Sequence, residues 1–382
     1  MQIITGQSAR KENFWKRDKE IKDIWYKIKS NQHLLLVAPR RVGKTSIMHN
    51  LLDTANNDYI VLYIDTESAD SENEFWKKLF YKLIDEEFVN TLQTKATNFW
   101  RQLKNIKISE ISTKGVKFAD RDELEYVDAF KEIVKNLDTD KKFIIMVDEF
   151  AQTIENIIKY ENVKSAQSLL KNHREIRQDK KLSERITLIY AGSIGLESVA
   201  SKIDSISLIN DLSVIKVSPL EFDDAKEFVK ILSISNDINI EKNEIIYLLN
   251  KIEWLIPFYI QLIMDELRKS STKITTQIID KTFSSILSNR NHFEHWHTRL
   301  KSLEDCEYKF AKKILNITSE KQVITFSEIV NIAEENKLSV DEAKEVRNSL
   351  IYDGYINNND NVREYRFNSP ILKMWWYKNV AN

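Results

Sequence analysis

Five short runs along the 382-residue chain are largely apolar and β-branched: His33 to Ala38, Tyr59 to Asp65, Phe143 to Asp148, Ile186 to Ala191 and Val214 to Val217. Each is followed by a polar or turn-forming stretch and then by apolar residues at helical spacing. Strands that are apolar on both faces belong in a parallel sheet covered on both sides. The expected fold is therefore α/β, a doubly wound parallel sheet with helices between the strands. The long interval after the second run predicts an insertion near 66–140, in which helical stretches at about 71–104 and 123–137 flank a small hairpin around Gly115. Beyond Pro219 the pattern turns to helices only, up to about Leu287. From about Leu303, three helical stretches (near 304–316, 326–335 and 339–352) precede Asp353-Gly354 and two strand-like runs, Tyr355-Ile356 and Glu364 to Phe367, the order of a winged helix-turn-helix. The expected division is a sheet core over 1–219, a helical lid over 220–300 and a winged helix over 301–382.

The first run feeds directly into Ala38-Pro39-Arg40-Arg41-Val42-Gly43-Lys44-Thr45-Ser46, and the residues after it, with Ile47, Leu51 and Leu52, have helical periodicity. A loop of the form G-x-x-x-x-G-K-[ST] between a strand and a helix wraps phosphates with backbone N–H groups. Its Lys reaches the terminal oxygens and its Thr holds Mg²⁺, and the helix N-terminus adds its own attraction for anions. Gly43, Lys44 and Thr45 match, whereas Ala38 stands where the first Gly belongs. An alanine fits there only if the backbone keeps a negative φ.

The third run ends in Asp148-Glu149, the position where P-loop ATPases hold a second Mg²⁺ ligand and a water-polarising base. Asp148 and Thr45 are the expected metal ligands and Glu149 the general base. A Glu directly after the Asp points to ATP hydrolysis, and the chain lacks the Asn-Lys-x-Asp string that reads guanine; Asn250-Lys251-Ile252-Glu253 has the wrong final residue. The fourth run delivers Ser193 as a sensor of the γ-phosphate. On the helix before it, Arg174 and Arg177 are three apart and can face one way, so either can act on phosphate charge in cis or across a subunit interface. A flat adenine ring needs apolar walls; Phe14, Trp15 and Arg17 before the first helix, and Pro257 in the lid, are the candidates.

Composition narrows the partners. The chain carries 57 Lys and Arg against 58 Asp and Glu, so no large basic field points to nucleic acid or an anionic membrane. Its only cysteine is Cys306, which excludes an internal disulfide and fits a reducing, cytoplasmic setting. No apolar run reaches membrane-spanning length. The candidate recognition helix, Ser339 to Asn348, is acidic in its first turns, so a protein partner or self-association is favoured over DNA. His292, His295 and His297 lie within six residues but lack a second ligand segment, and are expected to form a polar connector.

Pro39-Arg40-Arg41-Val42-Gly43-Lys44-Thr45-Ser46, the Val147-Asp148-Glu149-Phe150 strand end, Ala191-Gly192-Ser193-Ile194-Gly195 and the Pro257 lid segment together resemble the archaeal-type ATPases, of the STAND group of AAA+-related (ASCE-like) P-loop proteins. The resemblance runs from about Asn13 to the C-terminus. It implies a nucleotide-operated switch of low turnover, in which core, lid and winged helix clamp around ATP and Mg²⁺ and reopen with ADP. It also departs from the family pattern at three places: Ala38, Lys16 where the N-terminal motif usually has Gly, and the absence of a Gly before Pro257. Two other functions remain compatible with the residues: a DNA-engaging AAA+ ATPase and a nucleotide-locked scaffold with little turnover.

Overall fold

The structure is a computed structural model and describes residues 1–84, 108–111, 115–118, 123–136, 141–192, 195–289, 293–301, 303–358, 361 and 363–381. It forms two compact units, one comprising Arg17–Val37 and Lys44–Val217, the other Met1–Lys16, Ala38–Gly43 and Ser218–Asn382. The chain crosses between them on either side of Ala38–Gly43.

The first, the sheet unit, runs α1 (Asp18–Lys29), β1 (Leu34–Val37), α2 (Lys44–Thr54), β2 (Tyr59–Asp65) and α3 (Glu72–Ile84). Then come β3 (Ile108–Ile111), β4 (Gly115–Phe118), β5 (Glu123–Glu125), α4 (Tyr126–Asn136), β6 (Lys142–Asp148), α5 (Phe150–Tyr160), α6 (Val163–Gln178), α7 (Lys180–Ser183), β7 (Ile186–Ala191), α8 (Leu196–Lys202) and β8 (Ser213–Lys216). Five strands form one sheet in the order β2-β6-β7-β1-β8, and every neighbouring pair is parallel. Position in this order explains the sequence pattern. Phe143 to Asp148 of β6, flanked on both sides, are all buried, whereas edge strand β8 exposes Val214 and Lys216. All five expected strands form at the expected places.

Within the insertion, β4 pairs antiparallel with β3 and with β5, giving the hairpin around Gly115 a third strand. Glu123–Glu125 was expected to open a helix. Instead its alternating Glu-Leu-Glu places Leu124 opposite Val116, so cross-strand pairing overrides the local helical preference. The expected helix of 71–104 is formed as α3 up to Ile84, and 85–104 lie outside the described residues.

The second, the helical unit, contains α9 (Phe222–Ser235), α10 (Lys242–Ile252), α11 (Pro257–Leu267), α12 (Thr276–Ser288), α13 (Glu294–Leu300) and α14 (Asp305–Lys321). It continues with β9 (Ile324–Thr325), α15 (Phe326–Glu335), α16 (Val340–Tyr352), β10 (Ile356–Asn357), β11 (Glu364–Phe367) and α17 (Pro370–Trp376). The short strands make an antiparallel sheet in the order β10-β11-β9. Helices α15 and α16 both open on capping boxes, Thr325 with Glu328 and Ser339 with Glu342, as the S/T-x-x-E strings dictate. Trp375 and Trp376 are fully buried, and the Trp376 indole donates to Asn316 Oδ1 at 2.9 Å. Tyr377 beside them remains exposed.

Candidate nucleotide site

Parallel strands collect their C-terminal ends on one edge of the sheet, where loops are free to carry chemistry. In the sheet unit, Lys44 and Thr45 begin α2, Asp148 ends β6 and Glu149 opens α5. The Thr45 hydroxyl donates to Asp148 Oδ2 at 2.7 Å. Two residues 103 positions apart in sequence are thereby brought to one point. Asp148 Oδ1 accepts the Glu149 backbone N–H at 3.1 Å.

Sequence reasoning missed the third partner of this carboxylate. Tyr63, near the end of β2, donates its hydroxyl to Asp148 Oδ2 at 3.0 Å. Nothing in an apolar strand run marks one tyrosine as polar machinery; only the β2–β6 register, Asp65 opposite Asp148, brings its side chain there. Thr66 fixes the backbone behind it, donating its hydroxyl to the Asp148 carbonyl at 3.0 Å. The buried Thr153 hydroxyl in turn donates to the Thr66 carbonyl at 2.7 Å.

Burial pushes the Asp148 carboxyl above its ordinary value; the hydrogen bond from Thr45 opposes this, repulsion from Glu149 adds to it, and Tyr63 and Lys44 pull the value down. A buried carboxylate is hydrogen-bonded, paired or metal-bound, and Asp148 accepts from Thr45, Tyr63 and the Glu149 N–H. The oxygen ligands the site offers are hard and few, and among the described residues no three His, Cys, Asp or Glu side chains gather to enclose a metal. Such a set fits Mg²⁺, which takes one or two protein oxygens and fills the rest of its shell with water and phosphate oxygens. Glu149 adopts a left-handed backbone, with φ 55° and ψ 30°. This conformation costs a non-glycine residue about 1–3 kcal/mol and accumulates at functional sites.

The first half of the phosphate loop belongs to the helical unit. Its positive φ angles fall at Arg41 (66°) and Gly43 (106°), not at Ala38. The alanine in place of the first glycine therefore sits in a backbone conformation open to any L-residue. The Arg41 guanidinium lies 4.7 Å from the centre of the Phe258 ring, a cation–π contact. Pro39 packs close to Gly354, whose φ is +84° and where an added Cβ would stand 3.0 Å from Pro39 Cβ and 2.9 Å from Trp254 Cη2.

The adenine candidates separate. Trp15 stacks on Phe228 of α9, ring centres 5.2 Å apart, and Phe14 is half-buried beside it in the helical unit. Pro257 occupies the first position of α11, where its missing N–H has no cost. Arg17, in the sheet unit, is buried and paired with Glu20 at 3.3 Å. Ser193 lies outside the described residues, just beyond the end of β7.

The two arginines of α6 share surroundings, since the charges of both act on Asp211. Arg177 is buried and engaged: it grips Asp211 through Nε (2.7 Å) and Nη2 (2.9 Å) and donates to the Tyr190 hydroxyl at 3.1 Å. Asp211 lies just before β8, and the charge on Arg177 is felt by His33, just before β1. Asp211 and His33 precede their strands, whereas Tyr190 is the penultimate residue of β7, opposite Val147 of β6. Arg174 lies one turn earlier, in a surface cleft with Lys171, Asp179 and Leu208, and its guanidinium faces the Gln178 amide. Arg177 is thus committed to partners within the sheet unit. His297 meets the Tyr308 hydroxyl at 3.2 Å, while His292 is outside the described residues and nothing of the His295 side chain is described.

Among the described residues no helix is long and apolar enough to cross a membrane. No protein-family model matches the sequence, and no curated protein matches it. Solved structures do match its fold. The Walker-type ATPase of Pyrococcus abyssi superposes with a TM-score of 0.68 at 17% identity, over 98% of this chain and 99% of that one. The ORC2 protein of Aeropyrum pernix, solved in ADPNP–ADP complexes, gives a TM-score of 0.54 at 11% identity, over 96% of this chain and 95% of that one. At these identities the likeness is one of fold: a parallel-sheet core of the P-loop ATPase kind followed by a helical C-terminal region.

Proposed function

We propose that this protein is a Mg²⁺-dependent ATP-binding and ATP-hydrolysing switch of the STAND and AAA+ type. The observation that carries the reading is the Thr45 hydroxyl 2.7 Å from the buried Asp148 carboxylate, at the start of the helix that follows the phosphate loop. In this reading Lys44 meets the β- and γ-phosphates and Thr45 and Asp148 hold the metal. The metal neutralises charge on the phosphate oxygens. Glu149, whose backbone makes the left-handed turn at the end of β6, accepts a proton from the attacking water. Ser193 reads the γ-phosphate, and Trp15, Phe14 and Pro257 line the adenine end.

Residues 220–300 act as the lid and 301–382 as a winged helix that answers the nucleotide state. Support comes from the loop itself: Ala38–Gly43 packs with Phe258 and Gly354, and is covalently continuous with the phosphate-binding Lys44. The C-terminal output is a protein partner or a second copy of the chain, not DNA. Of the two bases of the candidate recognition helix, Arg347 is turned onto the Phe326 ring at 4.9 Å and donates to the Tyr365 hydroxyl at 3.3 Å, and Lys344 pairs with Asp341 at 2.9 Å. A cation committed within its own domain does not neutralise a phosphate backbone.

The test is a pair of variants. Lys44→Ala is expected to lose ATP binding, and Glu149→Gln to keep ATP bound but stop hydrolysis. Hydrolysis by Glu149→Gln at the wild-type rate would remove Glu149 as the base, and absence of turnover in the wild type with any partner would favour a locked scaffold. Binding to random duplex DNA that weakens steeply with added salt would reverse the choice of partner.

A further inference from the structure

We propose that Tyr63 is a positioning residue for the metal ligand Asp148: its hydroxyl sets the carboxylate orientation on which Mg²⁺-nucleotide binding depends. The inference rests on the nucleotide-site reading above and adds a residue that the phosphate-loop and strand-end motifs do not contain.

Asp148 Oδ2 receives two hydroxyl donors at once, from Thr45 at 2.7 Å and from Tyr63 at 3.0 Å, while Oδ1 takes the Glu149 backbone N–H at 3.1 Å. The three bonds fix both the plane and the rotation of the carboxylate. Their sources differ in rigidity. Thr45 must itself turn toward a metal, so its hold on Asp148 changes when the site fills, whereas Tyr63 is on the neighbouring strand. There β2 pairs with β6 without a break from Tyr59 opposite Lys142 to Asp65 opposite Asp148. The Tyr63 ring is further braced edge-on by the His49 ring of α2, centres 4.5 Å apart. A phenol held on a strand and on the phosphate-loop helix is a fixed donor against which a ligating carboxylate is set. Removing such a partner ordinarily lowers metal affinity about 10–100-fold.

The experiment measures ATP binding by titration calorimetry in EDTA and across a Mg²⁺ series, for the wild type, Tyr63→Phe and His49→Leu. Tyr63→Phe is expected to raise the Mg²⁺ concentration for half-maximal binding about tenfold, leaving affinity in EDTA and the thermal midpoint of the nucleotide-free protein close to wild type. His49→Leu, which loosens the ring but keeps the hydroxyl, is expected to raise the Mg²⁺ requirement by clearly less than Tyr63→Phe does. An unchanged Mg²⁺ requirement in Tyr63→Phe overturns the proposal, as does an equal loss in EDTA and in Mg²⁺, or a His49→Leu variant that reproduces the shift. A wild type whose ATP binding ignores Mg²⁺ would instead sink the nucleotide-site reading itself, and this outcome is visible before any variant is compared.

Discussion

Two sets of contacts, one around Asp148 and one at Pro39 and Arg41, differ in kind. From Lys44 onward the sheet unit surrounds Asp148 with polar partners: Thr45, Tyr63, the Glu149 N–H and the Thr66 hydroxyl on its carbonyl. From Ala38 to Gly43 the described contacts are of another kind, an arginine over the Phe258 ring and a proline against the bare Cα of Gly354. Hydrogen bonds to a buried carboxylate are directional and costly to leave unmade. Cation–π and van der Waals contacts are weaker singly and tolerate sliding. The polar contacts set the geometry at Asp148, and the ring and van der Waals contacts seat Arg41 and Pro39.

The largest effects should fall on the set around Asp148. Lys44→Ala should weaken ATP binding by about a hundredfold or more, read by equilibrium titration, because the loop lysine neutralises the terminal phosphates. Glu149→Gln should lower single-turnover hydrolysis by about 10²–10⁴-fold, the usual contribution of a positioned base. Comparable loss of ATP binding in Glu149→Gln would show that its role is to hold the fold of the strand end.

An intermediate effect comes from the opposite edge of the same sheet. His33 is buried, its Nδ1 accepts the Leu188 N–H at 3.0 Å, and burial together with Arg177 lowers its pKa to about 4, with Asp211 acting in the other direction. The unfolded chain takes up this proton near pH 6.5 and the folded one near 4. The unfolded state therefore binds more protons across that window, and stability falls as pH drops through it. At pH 5 the loss from His33 alone is about 2 kcal/mol, and fully buried His173, whose pKa is also lowered, acts with the same sign. Denaturant unfolding at pH 7 and pH 5 checks this, and His33→Gln should flatten the slope. An unchanged slope would mean that His33 is charged in the folded protein.

The smallest effect tests the set at Pro39 and Arg41. Gly354→Ala puts a Cβ 2.9–3.0 Å from Trp254 and Pro39 at a φ of +84°, and should cost about 1–3 kcal/mol in unfolding free energy. Trp254→Ala in the same background should recover part of it by making room. If Gly354→Ala is neutral, Pro39 is not seated against this turn and the contrast between the two sets loses one of its supports.

Much of the fold was legible because its signals are local. Runs such as Phe143 to Asp148 announce a central strand, and the S-x-x-E string at Ser339 announces a helix start, wherever they occur in space. Glu123–Glu125 failed the same test because a three-residue strand draws its stability from a partner, here Gly115–Val116–Lys117, that local helical spacing does not register. For the candidate site, spacing alone singles out Gly43, Lys44, Thr45, Asp148 and Glu149. It does not single out Tyr63, since in a strand the same residue serves as core or as donor according to its neighbour.

The sequence by itself determined the strands of the sheet, the phosphate loop between β1 and α2, the acidic end of β6 and the order of C-terminal elements, because each depends on residues close along the chain. Tertiary structure alone decided that Ala38 escapes the left-handed conformation while Arg41 takes it, that Arg177 serves Asp211 and Tyr190, and that Tyr63 reaches Asp148. Each is a contact or a backbone angle set by segments far apart in sequence, and packing selects among side-chain partners that periodicity leaves equivalent.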